Sequence, residues 1–377
     1  MKNNRTFLEK LLNGAEVEWK LLPLVSEMQR GKTITAKSTN EGKIPVISGG
    51  QKPAYYHSES NRDGKTITVA GSGAYAGYIM YWEEPIFVSD AFSIKTDESL
   101  LQIKYVYHFL LQNQQKIYAM KKGSGVPHVY PKDIGTLTIP IPPLSVQTEI
   151  VKILDALTAL TSELTSELTS ELILRRKQYE YYREKLLSEE ELGKVGFEWK
   201  PLGEVTNIKT GQAVSKYSIS QNPGIYPVIN SGREPLGFIN EWNTENDPIG
   251  ITTRGAGVGS ITWQEGKYFR GNLNYSVTVK SDYKLNIRFL YHILLHFQKE
   301  IHNLCSFTGI PALNASELKK LEISIPAIEE QQRIVSILDK FETLTNSITE
   351  GLPLAIEQSQ KRYEYYRELL LNFPGRE

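Results

Sequence analysis

Apolar residues recur every four positions through the middle of the chain. From Thr161 to Leu172 the sequence reads TSEL three times, and Leu160 extends the leucine series one step back. The tract holds no Gly or Pro, so Leu160, Leu164, Leu168 and Leu172 predict an apolar stripe on a helix. Ile150, Ile153, Leu154 and Leu157 continue it backwards. The same spacing returns 184 residues later at Ile334, Ile337, Leu338, Phe341, Leu344, Ile348, Leu352 and Ile356. Two long amphipathic helices in one register are therefore expected. The first spans about 146–187, roughly 60 Å at 1.5 Å per residue. Gly351 and Pro353 fall inside the second and should kink or break it.

Upstream of each helix the pattern changes to short β-favouring runs broken by Gly, Pro and Asn. Examples are Thr66 to Ala70, Ile86 to Val88, Ile249 to Thr253 and Tyr275 to Val279. Each β region is expected to end in one helix, near Leu101 to Tyr118 and near Ile287 to His302. A proline-rich strand end follows, with Pro140, Pro142 and Pro143 in one case and Pro326 in the other.

The regions are copies of one another. EWK occurs at Glu18 and Glu198, and IPVISGGQKP from Ile44 answers YPVINSGREP from Tyr226. GSGAYAG from Gly71 answers RGAGVG from Arg254, and SGVPHV from Ser124 answers TGIPAL from Thr308. YEYYRE follows each helix, at Tyr179 and Tyr363. EKLL at Glu9 precedes the first EWK as EKLL at Glu184 precedes the second, so the chain begins inside its own repeat, after a long helix. The expected fold is α+β and pseudo-twofold: two mainly β domains with associated helices, joined by two long antiparallel helices in a coiled coil. The expected bounds are 1–145 and 191–326 for the domains, 146–190 for the central helical spacer and 327–377 for the distal helical region.

Composition narrows the function classes. Lys plus Arg and Asp plus Glu number 43 each among 377 residues, so net charge is zero. That argues against a sequence-blind coat for nucleic acid, which relies on bulk positive charge, but leaves room for local basic patches. The single cysteine, Cys305, permits no internal disulfide and fits a reducing compartment. No signal peptide or membrane span is expected, and the cytoplasm is the expected location. The glycines at 71, 73, 77, 255, 257 and 259 miss the GxGxxG spacing and read as tight turns. His292 and His296 stand one helical turn apart, but no HExxH motif is present, so a structural role is expected and no metal site.

With these motifs in view, the chain resembles the specificity subunit of a type I restriction–modification system. The resemblance rests on IPxxEEQxxIVxILD at Ile325 to Asp339, the Leu-Thr-Ser-Glu tandem, YEYYRE after each helix and the circular duplication. It implies a non-catalytic chain whose two target recognition domains each read half of a split duplex DNA sequence. The conserved helices would then form a spacer and dock two methyltransferase subunits, with restriction/translocase subunits as further partners. S-adenosylmethionine, ATP and Mg are expected on those partners, and no cofactor in this chain. No NPPY or DPPY motif is present. A duplicated coiled-coil scaffold that binds protein partners is the alternative that the residues alone leave open.

Base readout needs side chains that reach a groove from loops, helices or ribbons. The candidates are Lys52, Tyr55, Tyr56, His57, Arg62, Lys65, Tyr75, Tyr78, Lys121 and Lys122 in the first domain. In the second they are Arg233, Arg254, Lys267 and Arg270, with Arg233 and Arg254 at repeat positions holding Gln51 and Gly71 in the first half. Taken singly, each could equally be a solvated charge or a half-buried tyrosine. The expected helix-pair interface is Ile153, Leu157, Leu160, Leu164, Leu168 and Leu172 against Ile337, Phe341, Leu344, Ile348, Leu352 and Ile356. One TSEL unit adds about 6 Å of helix, so gain or loss of a unit is expected to change the half-site spacer by about one base pair.

Overall fold

The computed structural model describes residues 6–232, 234–347 and 350–373. The chain divides into two compact units, Met1–Leu168 with Ile356–Glu377, and Thr169–Ala355.

The first unit opens with α1 (Phe7–Leu12). Its N-cap Thr6 accepts from the Glu9 backbone N–H while the Glu9 carboxylate accepts from the Thr6 N–H. Strands β1 (Glu18–Leu21), β2 (Ser26–Arg30), β3 (Ile44–Ile47), β4 (Tyr55–His57), β5 (Thr66–Ala70), β6 (Ile79–Trp82), β7 (Phe87–Val88) and β8 (Ala91–Thr96) follow. After them come α2 (Ile103–Gln112), α3 (Gln114–Ala119), α4 (Pro131–Ile134) and β9 (Thr138–Ile141). The main sheet has the order β2-β8-β5-β6, a smaller one β4-β3-β7, and β1 pairs antiparallel with β9. All five residues of β5 are buried, as suits the TITVA run at the centre of the sheet. The core joins Ile67 and Val69 of that strand to Tyr105, Val106 and Phe109 of α2.

From β9 the chain enters α5 (Leu144–Leu186), one continuous helix of 43 residues. The second unit then repeats the plan. It comprises α6 (Glu189–Gly193), β10 (Phe197–Pro201), α7 (Leu202–Val205), β11 (Thr206–Thr210), α8 (Lys216–Gln221), β12 (Pro223–Ile229) and β13 (Phe238–Ile239). It continues with β14 (Ile249–Thr252), β15 (Ile261–Trp263), β16 (Phe269–Arg270), β17 (Asn274–Val279), α9 (Ile287–His296), α10 (Gln298–Asn303), α11 (Ala315–Leu318), β18 (Glu322–Pro326) and α12 (Ile328–Asn346). Its sheets, β11-β17-β14-β15 and β13-β12-β16, have the order of their counterparts. The register agrees too: Trp19 lies opposite Pro140 in one unit and Trp199 opposite Ser324 in the other.

The last helix, α13 (Leu352–Leu371), belongs to the first unit from Ile356 onward. Leu370, Leu371 and Phe373 share one core with Leu8 and Leu12 of α1 and with Ile150 and Leu154 of α5. The beginning of the chain thus packs where the last long helix ends, as a cyclic repeat requires. The EKLL match is nevertheless a coincidence of letters. EKLL at Glu184 closes the long helix, where α13 carries Glu368 to Leu371 instead. The EKLL of α1 lies in a short capped helix whose counterpart is α6, where Ser188 accepts from the Glu191 N–H as Thr6 does from Glu9.

Two further expectations change, and one, the break in the distal helix, holds. Each helix after the β region is two helices with an elbow, at Asn113 and at Phe297. The distal helix is broken, as Gly351 and Pro353 demand. Gly351 has φ +89°, and a Cβ there would meet the Thr343 carbonyl oxygen at 2.7 Å. Pro353 sits in the first turn of α13, where no helical N–H is lost. The four leucines do not share one buried stripe: Leu160 is 61% and Leu164 37% exposed, while Leu168 and Leu172 are half-buried. A four-residue step turns about 400°, so each repeat advances about 40° around the helix. Half-buried Thr161 and Thr165 fill the inward positions that Leu160 and Leu164 leave. The remaining stripe residues Ile153, Leu157, Ile337, Phe341, Leu344, Leu352 and Ile356 are half-buried, and Ile348 lies outside the described residues. Within the first unit, Thr158 of α5 donates to the Tyr363 hydroxyl of α13 at 3.1 Å. Within the second, the Tyr182 ring of α5 stacks on Phe341 of α12 at 5.4 Å.

Candidate nucleic-acid interface

Two loops meet at one end of each main sheet. In the first unit, residues 71–77 connect β5 to β6 and are stitched to the segment after α3. Gly73 N–H donates to Pro127 O at 3.0 Å, Val129 N–H to Gly71 O at 3.0 Å, and Lys122 and His128 exchange both backbone bonds. The second unit repeats each stitch: Gly255 to Pro311 at 3.1 Å, Leu313 to Thr253 at 2.9 Å, and Ser306 with Ala312. Gly73, Gly77, Gly255 and Gly259 have φ of 86°, 85°, 90° and 78°, a conformation that suits glycine. They mark the matching turns and correct the alignment. Gly73 answers Gly255, so Arg254 stands where the first unit has Ser72, not Gly71. The isolated bridges agree, Ser72 with His128 and Arg254 with Ala312. A third loop joins the cluster in the first unit, where a Cβ on Gly49 would meet Ser72 O at 2.5 Å.

This loop cluster gathers some of the expected residues. Lys52 and Tyr75 are exposed, Lys121 reaches across to donate to Ala74 O at 3.0 Å, and Lys122 is paired with Asp133. Tyr78, which closes the glycine turn, is half-buried. In the second unit Arg254 is exposed on the equivalent turn. Arg233 lies outside the described residues.

Other candidates are placed elsewhere. Lys65 precedes β5, at the opposite end from the glycine turn, and pairs with Glu98 at 2.8 Å. Arg62 is half-buried, donating from Nε to Ser93 Oγ at 2.8 Å and from a terminal nitrogen to Arg30 O at 3.0 Å. Burial pushes its pKa down. Lys267 follows β15, 4.3 Å over the Trp242 ring and 3.8 Å from Glu245. Tyr56 is exposed on β4, and the Tyr55 hydroxyl donates to Ile34 O.

Two candidates are interior residues, against expectation. His57 is 5% exposed, edge-on to Phe87, and accepts from the Asn40 N–H at 3.0 Å. Arg270 is 3% exposed. Its two terminal nitrogens donate to Asn274 Oδ1, Tyr275 O at 3.0 Å and Asp247 O at 2.7 Å, so both are engaged inside the unit. Burial lowers its pKa, opposed by Tyr268 and Asp247. An arginine flanked by Tyr, Phe and Gly reads as a surface charge in one dimension; tertiary folding buries its side chain inside the unit.

The sequence reading also missed surface residues at the loop cluster. Val126 and Ile310, the apolar residues of the paired GxP turns, are 56% and 73% exposed. Beside the first, the His128 ring stacks on Tyr130 at 5.9 Å and Arg30 lies 5.2 Å over the other aromatic ring centre. The recurrence of SGVPHV as TGIPAL was the available signal.

The histidines have structural partners. His108 is 1% and His292 0% exposed, and each places Nε2 2.8 Å from a carboxylate of a long helix, Asp155 and Asp339 respectively. His292, Asp339 and Glu342 lie close enough to be considered as metal ligands. Arg288 instead bridges both carboxylates, at 2.8 Å to Asp339 and 2.7 Å to Glu342, and neutralises the charge that would draw a cation. Cys305 is buried, and burial pushes its thiol pKa up.

The family model for the type I restriction modification DNA specificity domain matches residues 16–173 and again 194–358. A putative type I restriction enzyme specificity subunit of Haemophilus influenzae is 42% identical over 99% of this chain and 100% of its own length. The EcoR124I/EcoR124II specificity subunit of Escherichia coli is 32% identical over 98% of this chain and 97% of its own. Among solved structures, the S subunit of M. genitalium aligns with a TM-score of 0.55 at 21% identity, covering 96% of this chain and 98% of that one. A chain from a structure concerned with complex assembly and conformational transition of the type I R-M system aligns at 0.62 and 17% identity, covering 94% and 97%. The chain belongs to the family of type I restriction–modification DNA specificity subunits. Its part in such a system is DNA sequence specificity, not catalysis. No helix among the described residues is long and apolar enough to cross a membrane.

Proposed function

We propose that each unit reads one half of a bipartite duplex target and that the helices bring two methyltransferase subunits to it. The recognition domains are residues 1–145 and 191–326, with 146–190 as spacer and 327–377 as distal helical region. The observation that carries this reading is the loop cluster. The backbone stitching is the same in both units, while the side chains it displays differ. Ser72 is replaced by Arg254, Tyr75 by Gly257, Lys121 by Cys305, Lys122 by Ser306 and His128 by Ala312. One scaffold with two different displays is what reading two different half-sites requires, since base edges are distinguished by side-chain donors, acceptors and apolar groups. The exposed Val126 and Ile310 suit contact with a thymine methyl group.

Recruitment is supported by a second duplication. Tyr181 and Tyr365 are 60% and 61% exposed, and their neighbours Tyr182 and Tyr366 are both 40% exposed. Two equivalent solvent-facing tyrosine pairs suit two copies of one partner, because aromatic residues are enriched where protein interfaces form. S-adenosylmethionine, ATP and Mg act on the methyltransferase and restriction/translocase subunits, and the assembly works on the genome in the cytoplasm. The test is adenine methylation across the host genome with and without this gene. Loss of methylation at one split motif supports the reading. An unchanged methylome in a strain whose methyltransferase is active overturns it.

A further inference from the structure

Each unit carries a polar attachment between a buried histidine of a domain helix and a half-buried carboxylate of a long helix, and these attachments match at an offset of 184. In the first unit the Asp155 carboxylate of α5 holds His108 Nε2 at 2.8 Å and Lys104 Nζ at 3.0 Å, both from α2. In the second, Asp339 of α12 holds His292 Nε2 at 2.8 Å and Arg288 Nε at 2.8 Å, both from α9. His292 also meets the other long helix, with the Tyr179 hydroxyl of α5 3.3 Å from its Nδ1. A buried glutamine repeats in the same way. Gln147 accepts from the Gln102 N–H at 2.9 Å and donates to Pro142 O at 2.8 Å. Gln331 accepts from the Asn286 N–H at 2.8 Å and donates to Pro326 O at 2.9 Å.

Helix packing through aliphatic side chains alone would hold these elements together about as well. Replacing buried ion pairs with apolar groups is often neutral for stability. What a directional pair on a buried histidine adds is a single register and rotation, the best-attested use of such polar contacts. No group on these histidines faces solvent or a nucleophile, and neither pair lies in the loop cluster. On α5 the attachments at Asp155 and Tyr179 enclose the whole TSEL tract, one made to each unit.

We propose that the His108–Asp155 and Tyr179–His292–Asp339 contacts are positioning latches that fix the helical spacer to each recognition domain, so that one half-site separation is accepted and its neighbours are rejected. The proposal rests on the bipartite reading above. These residues touch no base and act through the helix: the tract supplies the length, and the latches make that length rigid.

The experiment expresses the complete system with wild-type chain, Asp155→Asn, Lys104→Gln, Tyr179→Phe or Lys104→Arg, and maps adenine methylation genome-wide. Lys104→Gln removes a charge that is still partly in solvent and Tyr179→Phe removes only a hydroxyl, so they report even where Asp155→Asn impairs folding. Expected is a several-fold rise in methylation at sites whose spacer is one base pair longer or shorter, with both half-site sequences unchanged. Lys104→Arg, which copies Arg288 of the second unit, should keep the single spacer. Variants that methylate only the original spacer, at uniformly reduced occupancy, overturn the latch and leave a structural role alone. A wild-type chain that directs no split motif removes the bipartite reading, and the latch with it.

Discussion

Ser72 and Arg254 occupy the same place in two loops of the same construction. Each follows the last residues of a buried central strand, and each bridges to the residue after a GxP turn, His128 in one unit and Ala312 in the other. Only the second presents a guanidinium. Arg254→Ala should therefore relax one position of one half-site, cost about 1–3 kcal/mol in target binding, and leave the other half-site unchanged. Competition binding with single-base variants of the target measures both effects.

Arg270 should behave in the opposite way. Removing its buried guanidinium takes a donor from Asn274 Oδ1, from the Tyr275 carbonyl oxygen and from the Asp247 carbonyl oxygen, of which the last keeps the Tyr268 hydroxyl, at roughly 1–3 kcal/mol for each buried group left unsatisfied. Arg270→Ala is expected to lower the denaturation midpoint of the second unit without altering the bases read by any chain that folds. Urea denaturation beside methylation mapping separates the two outcomes.

Inserting a fourth TSEL unit lengthens α5 by about 6 Å. The spacer of the methylated motif should grow by about one base pair, with both half-sites retained. An unchanged spacer on methylome sequencing would refute the ruler.

The exposed tyrosines predict a partner effect separate from DNA reading. The double variant Tyr181→Ala, Tyr365→Ala should fold normally and lose methyltransferase subunits in co-purification. Retention of two subunits would place their docking elsewhere on the helices.

Acid should weaken the first unit. Burial holds the His108 imidazole below its ordinary value near 6.5, although the Asp155 hydrogen bond opposes it. The unfolded chain takes up that proton near its ordinary pKa and the folded chain only at lower pH. The stability is thus complete above about pH 6.5 and is lost progressively as pH falls from there through the lower folded pKa. Asp155 has the same sign. Burial raises its pKa, but the bonds from His108 and Lys104 outweigh it and hold the carboxyl below the ordinary value, so its contribution is lost as pH falls through the folded pKa. Unfolding temperature should therefore begin to drop as pH falls below about 6.5, with the Asp155 contribution lost only below the ordinary carboxylate range, and His108→Gln should flatten the part of the drop due to the imidazole.

Much of the architecture was legible because it is periodic. A motif used twice states its own boundaries, so the paired β regions, a long helix at about 146–187, found at 144–186, and the break near Gly351 could be read from spacing alone. The same reading failed where a local rule accumulates or a string recurs by chance. The leucine stripe drifts because four residues overshoot one helical turn. EKLL matches by letters, while capping by Thr6 and Ser188 shows which helices correspond.

Which charges meet DNA was the least legible part. By itself the sequence determined a duplicated, cyclic α+β chain with paired helices, since repetition and hydrophobic period are properties of a line. Only the tertiary structure decided that Arg270 and His57 are interior, that Arg254 answers Ser72, and that His108 and His292 grip carboxylates of the long helices. Those outcomes depend on which strands and helices lie across from one another, and burial is set by neighbours distant in the chain.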